Sequence, residues 1–290
     1  MNERLALGTV QFGLEYGIAN ESGRVNQGEA GKILTEAAGR GMNLLDTAIG
    51  YGDSERVLGQ VGVANWQIVS KLPSLPSECA DVAGWVDEQV EGSLARLGVD
   101  RLYAVLLHRP DQLFDARGQQ LLEALEHLKA QGRTEKIGVS IYAPDELVRL
   151  FDGMHFDLVQ APLNILDRRL VNSGWAQRLK RQGVELHARS VFLQGLLLLS
   201  ASRRPVKFGR WHHIWTEWDR WLAEAGLTPL QACLRYALSV EEVDKVVVGV
   251  DSVAQLREIL AAATDSLTSA PNWPQNIDID LLNPARWNQL

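Results

Sequence analysis

The stretch Asn43-Leu44-Leu45-Asp46-Thr47-Ala48-Ile49-Gly50-Tyr51-Gly52 decides how this chain is read. A short apolar run, Leu44-Leu45, ends in a carboxylate, and a tyrosine follows five residues later in a glycine-rich turn. An apolar strand ending in Asp46, with Tyr51 in the next loop, sets two polar groups at one rim of a barrel. The rest of the chain repeats the strand half of that pattern. Apolar strand-like runs occur near residues 5, 43, 66, 102, 136, 156, 184 and 245.

Helical signals separate these runs. Asn26 with Glu29 three residues on reads as a capping box. From Asp81 to Leu97, Trp85-Val86, Val90, Leu94 and Leu97 recur at helical spacing, and Gly98 reads as the stop. Helices are expected from Leu121 to Ala130, Pro144 to Phe151 and Trp175 to Arg181. Thr228-Pro229 starts another, with proline at the first helical position, and Val253 to Ala262 follows the last strand. Strands alternating with helices imply a parallel sheet, and eight such units in 290 residues imply a (β/α)8 TIM barrel. A doubly wound sheet competes less well, because no GxGxxG follows the first strand. No proline- or serine-rich linker divides the chain. A single domain over 1–290 is expected, with a short irregular tail from about 266 to 290 that packs on the barrel or lips its mouth.

Composition narrows the class. Hydrophobic residues make up 46% of the chain, enough for a sizeable core, and the charged fraction of 22% contains no long like-charge block. A net charge of −7 and a pI near 5.4 argue against a nucleic-acid partner, which needs a basic face. Cys79 and Cys233 lie far apart with no CxxC, so neither a disulfide framework nor a cysteine metal site is expected. A reducing cytoplasm is the simplest home. The first residues lack a secretory pattern, and no apolar run approaches bilayer length, so no membrane association is expected.

In a barrel, catalytic residues sit at the C-terminal ends of strands. The polar residues there are Asp46, Lys71, His108, Ser140 and Gln160, with Tyr51 in the second loop. A tyrosine with a pKa near about 10 is a poor acid at neutral pH. A lysine cation beside its hydroxyl favours the phenolate, and an aspartate can fix the lysine. A histidine can orient a carbonyl oxygen. Such a set gives a proton to oxygen while something else delivers hydride to carbon, and it requires no metal.

This arrangement resembles the aldo-keto reductase family over nearly the whole chain. Leu7-Gly8-Thr9 with Gln11-Phe12-Gly13 is similar to the family's opening, and Asp46-Thr47-Ala48 through Tyr51-Gly52 to its second-strand signature. Lys71 and His108 complete its tetrad, and Gly138-Val139-Ser140, Val159-Gln160 and Gln194-Gly195-Leu196-Leu197 match later landmarks. The resemblance implies that Tyr51 is the general acid, that Lys71 and Asp46 tune it, and that His108 orients the carbonyl. It implies NADP(H) or NAD(H) as hydride carrier, with NADPH somewhat favoured. Ser140 and Gln160 would hold the nicotinamide carboxamide, and Gly8 and Thr9 would approach the cofactor through their backbone. Arg189, Ser190, Gly195, Gly249 and Ser252 are further cofactor positions, with Gln255 and Arg257 at the adenosine end. The partner implied is a small-molecule carbonyl compound, and the short mouth loops suggest a sugar or other polar carbonyl, acted on by a monomer or small homo-oligomer.

Three positions depart from the family pattern. Ile141 stands where asparagine often follows the serine. Arg189 stands where an aromatic ring usually stacks on the nicotinamide; a guanidinium can stack too, but adds charge. Asp251, in Gly249-Val250-Asp251-Ser252, replaces a basic residue that would bind the 2′-phosphate of NADPH, and pulls toward NADH or dual use. A basic segment, Ser202 to Arg210, is either a flap over the cofactor pyrophosphate or an anionic substrate, or a solvated loop. Trp211, Trp215, Trp218 and Trp221 recur at helical spacing and read as the buried face of an amphipathic helix. Arg168-Arg169 reads as a solvated pair ahead of a contact to a substrate carboxylate or phosphate, and His212-His213 lacks a third metal ligand. Two other classes compete: a nicotinamide-binding regulatory subunit with little turnover, and a lyase or isomerase on the same barrel that needs no cofactor.

Overall fold

The computed structural model describes residues 2–265, 267, 270–274 and 276–290, so residues 266, 268, 269 and 275 of the expected tail lie outside it. The strands are β1 (Leu5–Gly8), β2 (Leu44–Asp46), β3 (Gln67–Leu72), β4 (Leu102–Leu107), β5 (Thr134–Ser140), β6 (Leu158–Pro162), β7 (Glu185–Arg189) and β8 (Lys245–Gly249). They pair in parallel in chain order, and β1 closes on β8 with Leu5 opposite Val246 and Gly8 opposite Gly249. This is the (β/α)8 barrel. Its strands are short and almost wholly buried, as expected where one face meets helices and the other fills the barrel.

Side chains alternate between those two faces. Leu5, Leu7, Leu45, Ile68, Val105 and Val139 face the helices and join the main core. Ala6, Leu44, Val69, Ala104, Leu106 and Leu158 form a separate apolar plug inside the barrel. The C-terminal rim carries Asp46, Lys71 and Gln160, each at most 4% exposed. Near the N-terminal ends of β4, β5 and β7, the floor is polar. Glu185 accepts from the Tyr103 hydroxyl (2.7 Å), pairs with Lys136 and lies 2.6 Å from His187 Nε2.

The helices obey their local signals with one exception. Asp81 caps Val82–Leu97, Gly98 ends it in the left-handed conformation, and Thr228 forms a reciprocal capping box with Gln231. Asn26 likewise accepts from Glu29 N, but the return bond is missing. The Glu29 carboxylate instead accepts from Val253 N at 3.0 Å, at the N-terminus of helix Val253–Ala262. An otherwise unpaired amide of a neighbouring helix takes the side chain that sequence spacing assigns to its own turn. After β7 the chain runs through short 3-10 turns into helix His212–Ala225, which buries Ile214, Trp215, Trp218 and Leu222. Trp221 stacks on Trp218 at 5.7 Å, while Trp211 precedes the helix in a 3-10 turn. The described part of the tail is fastened to this region. Trp287 packs edge-on against Phe208, Lys207 donates to the Trp287 carbonyl (2.8 Å), and Trp273 donates to the Ile165 carbonyl (2.7 Å).

Candidate active site

A cavity of about 720 Å³ opens at the C-terminal rim, within the range of roughly 300–1,000 Å³ usual for small-molecule sites. Its position follows from β2 and the turn after it. Asp46 is the last residue of β2, opposite Gly8, and its carbonyl accepts from both the amide and the hydroxyl of Thr9. The turn carrying Tyr51 then packs backbone to backbone on residues 13 and 14. A Cβ on Gly13 would lie 1.7 Å from the Tyr51 carbonyl oxygen. Gly52, with φ of +54°, would meet the Gly13 carbonyl at 2.7 Å. Both glycines are therefore required for the phenol to sit where it does.

The four rim groups converge. Lys71 Nζ donates to both oxygens of Asp46, at 2.8 and 2.9 Å, and to the Thr47 carbonyl at 2.9 Å. It also lies 5.1 Å from the centroid of the Tyr51 ring. Burial disfavours the ammonium, but the Asp46 charge and Tyr51 outweigh it and raise the Lys71 pKa above its ordinary value. Tyr51 and His108 meet edge to face, ring centroids 5.9 Å apart. Burial, helped by the Lys71 and Arg189 charges, pushes His108 down to about 4, so its imidazole is neutral at pH 7.

Asp46, Tyr51, His108, Gly8, Thr9, Ser140, Gln160, Arg189, Ser190, Gly195, Gly249 and Gln255 all line the cavity, with Lys71 directly beneath Asp46. Two positions do not. Arg257 is exposed on the outside of its helix and pairs with Glu36 at 2.8 Å. Residues 255, 258 and 259 share one helical face and residue 257 points about 200° away from 255, so Glu258 and not Arg257 faces the cavity. Ser252 is the N-cap of that helix, its hydroxyl accepting from Gln255 N at 3.2 Å. Gln160 lines the cavity, but its amide is committed to Asp46 Oδ2 at 2.6 Å, and Ser140 donates to its other end at 3.4 Å. Arg189 already lies over the Tyr142 ring, 4.7 Å from its centroid. Of the basic segment only Arg203 reaches the cavity, pairing with Glu21 across the mouth; Arg204 pairs with Asp219 and Arg210 with Asp280. Arg168 and Arg169 are held by the Pro271 carbonyl and by Asp167.

Sequence reading missed Gln11, Tyr16, Tyr142 and Glu258, all on the cavity wall. Tyr142 was within reach, standing two residues beyond Ser140 and so on the same side of the chain. A nicotinamide dinucleotide suits the wall. A Cβ on Gly249 would strike the Gln11 amide at 2.5 Å, so the wall there is bare backbone. Gln11 Oε1 is buried with no partner among the described residues, an acceptor free for a ligand donor.

Residues 4–271 match the Aldo/keto reductase family, and the chain belongs to it. It is therefore an NAD(P)H-dependent oxidoreductase acting on carbonyl compounds. L-galactose dehydrogenase of Arabidopsis thaliana is 27% identical over 91% of this chain and 86% of its own. NADH-specific methylglyoxal reductase of Escherichia coli is 25% identical over 82% of this chain and 83% of its own. A 6-dehydroglucose reductase of Novosphingobium aromaticivorans is 31% identical over 45% of this chain, and the match spans about half of that relative's length (47%). Among solved structures, a holo aldo-keto reductase from Bacillus halodurans superimposes with a TM-score of 0.71 at 22% identity, over 91% of this chain and 88% of that one.

Proposed function

We propose that the chain reduces a small polar carbonyl compound to its alcohol, with Tyr51 as proton donor and NADH as preferred cofactor. The observation that carries this reading is the position of Lys71, fixed by Asp46 and set against the Tyr51 ring. When bound, the nicotinamide supplies the hydride that becomes the new C–H bond. Tyr51 gives its hydroxyl proton to the carbonyl oxygen. The Lys71 cation stabilises the phenolate left behind, in a buried site where charge acts strongly. Asp46 keeps Lys71 charged and in place. His108, neutral at pH 7, donates a ring N–H to the same oxygen and orients it.

The polarity of the substrate follows from the wall, where Tyr16, Tyr142, Gln194 and Arg189 offer hydroxyl, amide and guanidinium groups near Tyr51 and His108. The names of two relatives, which act on a sugar or a sugar aldehyde, agree with that. NADH is favoured because Asp251 and Glu258 line the cavity beside Gly249 and Gln255. A panel of aldehydes and ketones assayed by absorbance with each cofactor tests the reading. Tyr51→Phe is expected to lower kcat by roughly 10²–10⁴-fold while NADH still quenches protein fluorescence with near-normal affinity. Near-normal turnover in that variant would exclude Tyr51 as the acid.

A further inference from the structure

We propose that Arg189 forms a carboxylate-binding subsite beside the catalytic pair, so that the substrate carries a carboxylate as well as the reducible carbonyl. This rests on the reductase reading above and names its substrate class. Arg189 is the last residue of β7, half-buried on the cavity wall. The groups it contacts are all neutral. Nη2 donates to the Ile141 carbonyl at 2.8 Å, Nη1 to Ser190 Oγ at 3.1 Å, and the Tyr142 ring supports one face. These contacts fix the guanidinium plane and leave its remaining N–H groups without a partner among the described residues.

The other cations around the site are compensated. Lys71 is paired with Asp46, Arg203 with Glu21, and Arg169 with Asp167. Arg189 has no carboxylate within 4 Å among the described residues. Glu146, the first residue of helix Glu146–Leu150, feels the Arg189 charge without contacting it, and its Oε1 accepts from Tyr142 N and Ala143 N at 2.8 and 2.7 Å. His108 is neutral, and the acidic residues Asp251 and Glu258 line the wall near Gly249 and Gln255. A half-buried guanidinium with no carboxylate in contact favours an incoming anion, and its planar fork matches a carboxylate. A single guanidinium balances one negative charge, which fits a carboxylate better than a phosphate dianion. Arg189 lines the same cavity as Tyr51, His108 and Tyr16, which puts the subsite on the wall around a carbonyl held at Tyr51 and His108.

The test compares 4-oxobutanoate with butanal, with NADH and with NADPH, in the wild-type protein, Arg189→Met and Arg189→Lys. The wild type is expected to prefer the carboxylated aldehyde. In Arg189→Met that preference falls by roughly 10–100-fold, chiefly through KM. Arg189→Lys, which keeps the charge and loses the fork, retains part of it. Succinate binding followed by calorimetry is expected to weaken in the same order, without any need for turnover. An equal preference in the wild type and Arg189→Met, with unchanged succinate affinity, overturns the subsite and leaves the reductase reading standing. No turnover of either aldehyde with either cofactor overturns the reductase reading, and the succinate titration then decides the subsite alone.

Discussion

Gln160 Nε2 donates a 2.6 Å hydrogen bond to Asp46 Oδ2, on the carboxylate that holds Lys71 from the other side. Asp46 is 4% exposed, Gln160 and Lys71 are at most 1% exposed, and the three form a chain across the barrel from β3 through β2 to β6. Gln160 therefore positions the Asp46–Lys71 pair beside Tyr51. Gln160→Leu would leave a buried carboxylate oxygen one donor short. A loss of about 1–3 kcal/mol in unfolding free energy is expected, read from urea midpoints. Gln160→Glu should be worse for activity, because a second carboxylate against Asp46 competes for Lys71. Turnover in that variant should fall as pH rises and the new group ionises. Unchanged stability in Gln160→Leu would remove the positioning role.

His108 should show no titration near neutrality. Its pKa is pushed to about 4 from an ordinary value of 6.5, first by burial and then by the Lys71 and Arg189 charges. The unfolded chain thus takes up the proton at higher pH than the folded one. Its contribution to stability is full above pH 6.5 and lost as pH falls from 6.5 toward about 4. Imidazole carbon and nitrogen shifts followed by NMR should stay those of the neutral ring down to about pH 5. A midpoint near 6.5 would mean that the ring is wetter than the structure has it.

The barrel floor supplies a test of stability separate from the site. Burial acts against the Glu185 carboxylate, but His187, Lys136 and Tyr103 more than reverse it and bring its pKa down to about 2 from 4.5. A carboxyl depressed in this way stabilises the fold above pH 4.5, and that stability disappears as pH falls through about 2. Glu185→Gln should lower stability at pH 7 by about 1–3 kcal/mol, since the amide keeps the shape but loses the charge. The gap between wild type and variant should shrink as pH falls below 4.5. Denaturant titrations from neutral pH into the acid range check this, and a gap independent of pH would refute the ion-pair account.

The parts of this molecule legible in its sequence are those set by short-range rules. Asp46 ends an apolar run, Lys71 and His108 end two more, and strand alternation turns such residues toward one rim. Gly13 and Gly52 were visible as loop glycines. Their mutual contact, which holds Tyr51 in place, needs the third dimension because they stand on different loops. The same limit explains Glu29, whose spacing predicts a local bond but whose carboxylate finds a helix more than 200 residues away. Arg257 was misplaced for a different reason. Its place two turns into the helix suggests the adenosine end of the cofactor, whereas helical phase turns Arg257 outward to Glu36 and brings Glu258 to the cavity.

That exchange of Arg257 for Glu258 decides the cofactor prediction. Asp251 is partly buried on the cavity wall, and burial raises its carboxyl above the ordinary value against a hydrogen bond from the Gln255 side chain. Its Oδ1 accepts from Asn20 Nδ2 at 3.2 Å, which ties the loop after β8 to the loop after β1. With Glu258 it sets two acidic residues on this wall, while the basic residues that could answer them are taken, Arg203 by Glu21 and Arg257 by Glu36. A ribose 2′-hydroxyl can donate to such carboxylates, whereas a 2′-phosphate brings about −1.5 to −2 charges against them. NADH should therefore bind more tightly than NADPH in fluorescence titrations. The difference should narrow between roughly 0.01 M and 0.15 M salt, as the Debye length shortens from about 30 to about 8 Å. Asp251→Asn combined with Glu258→Gln should shift the NADPH-to-NADH affinity ratio roughly tenfold toward NADPH, and Asp251→Arg further by adding an ion pair. A ratio that moves neither with salt nor with these substitutions would place the adenosine end of the cofactor away from Asp251 and Glu258.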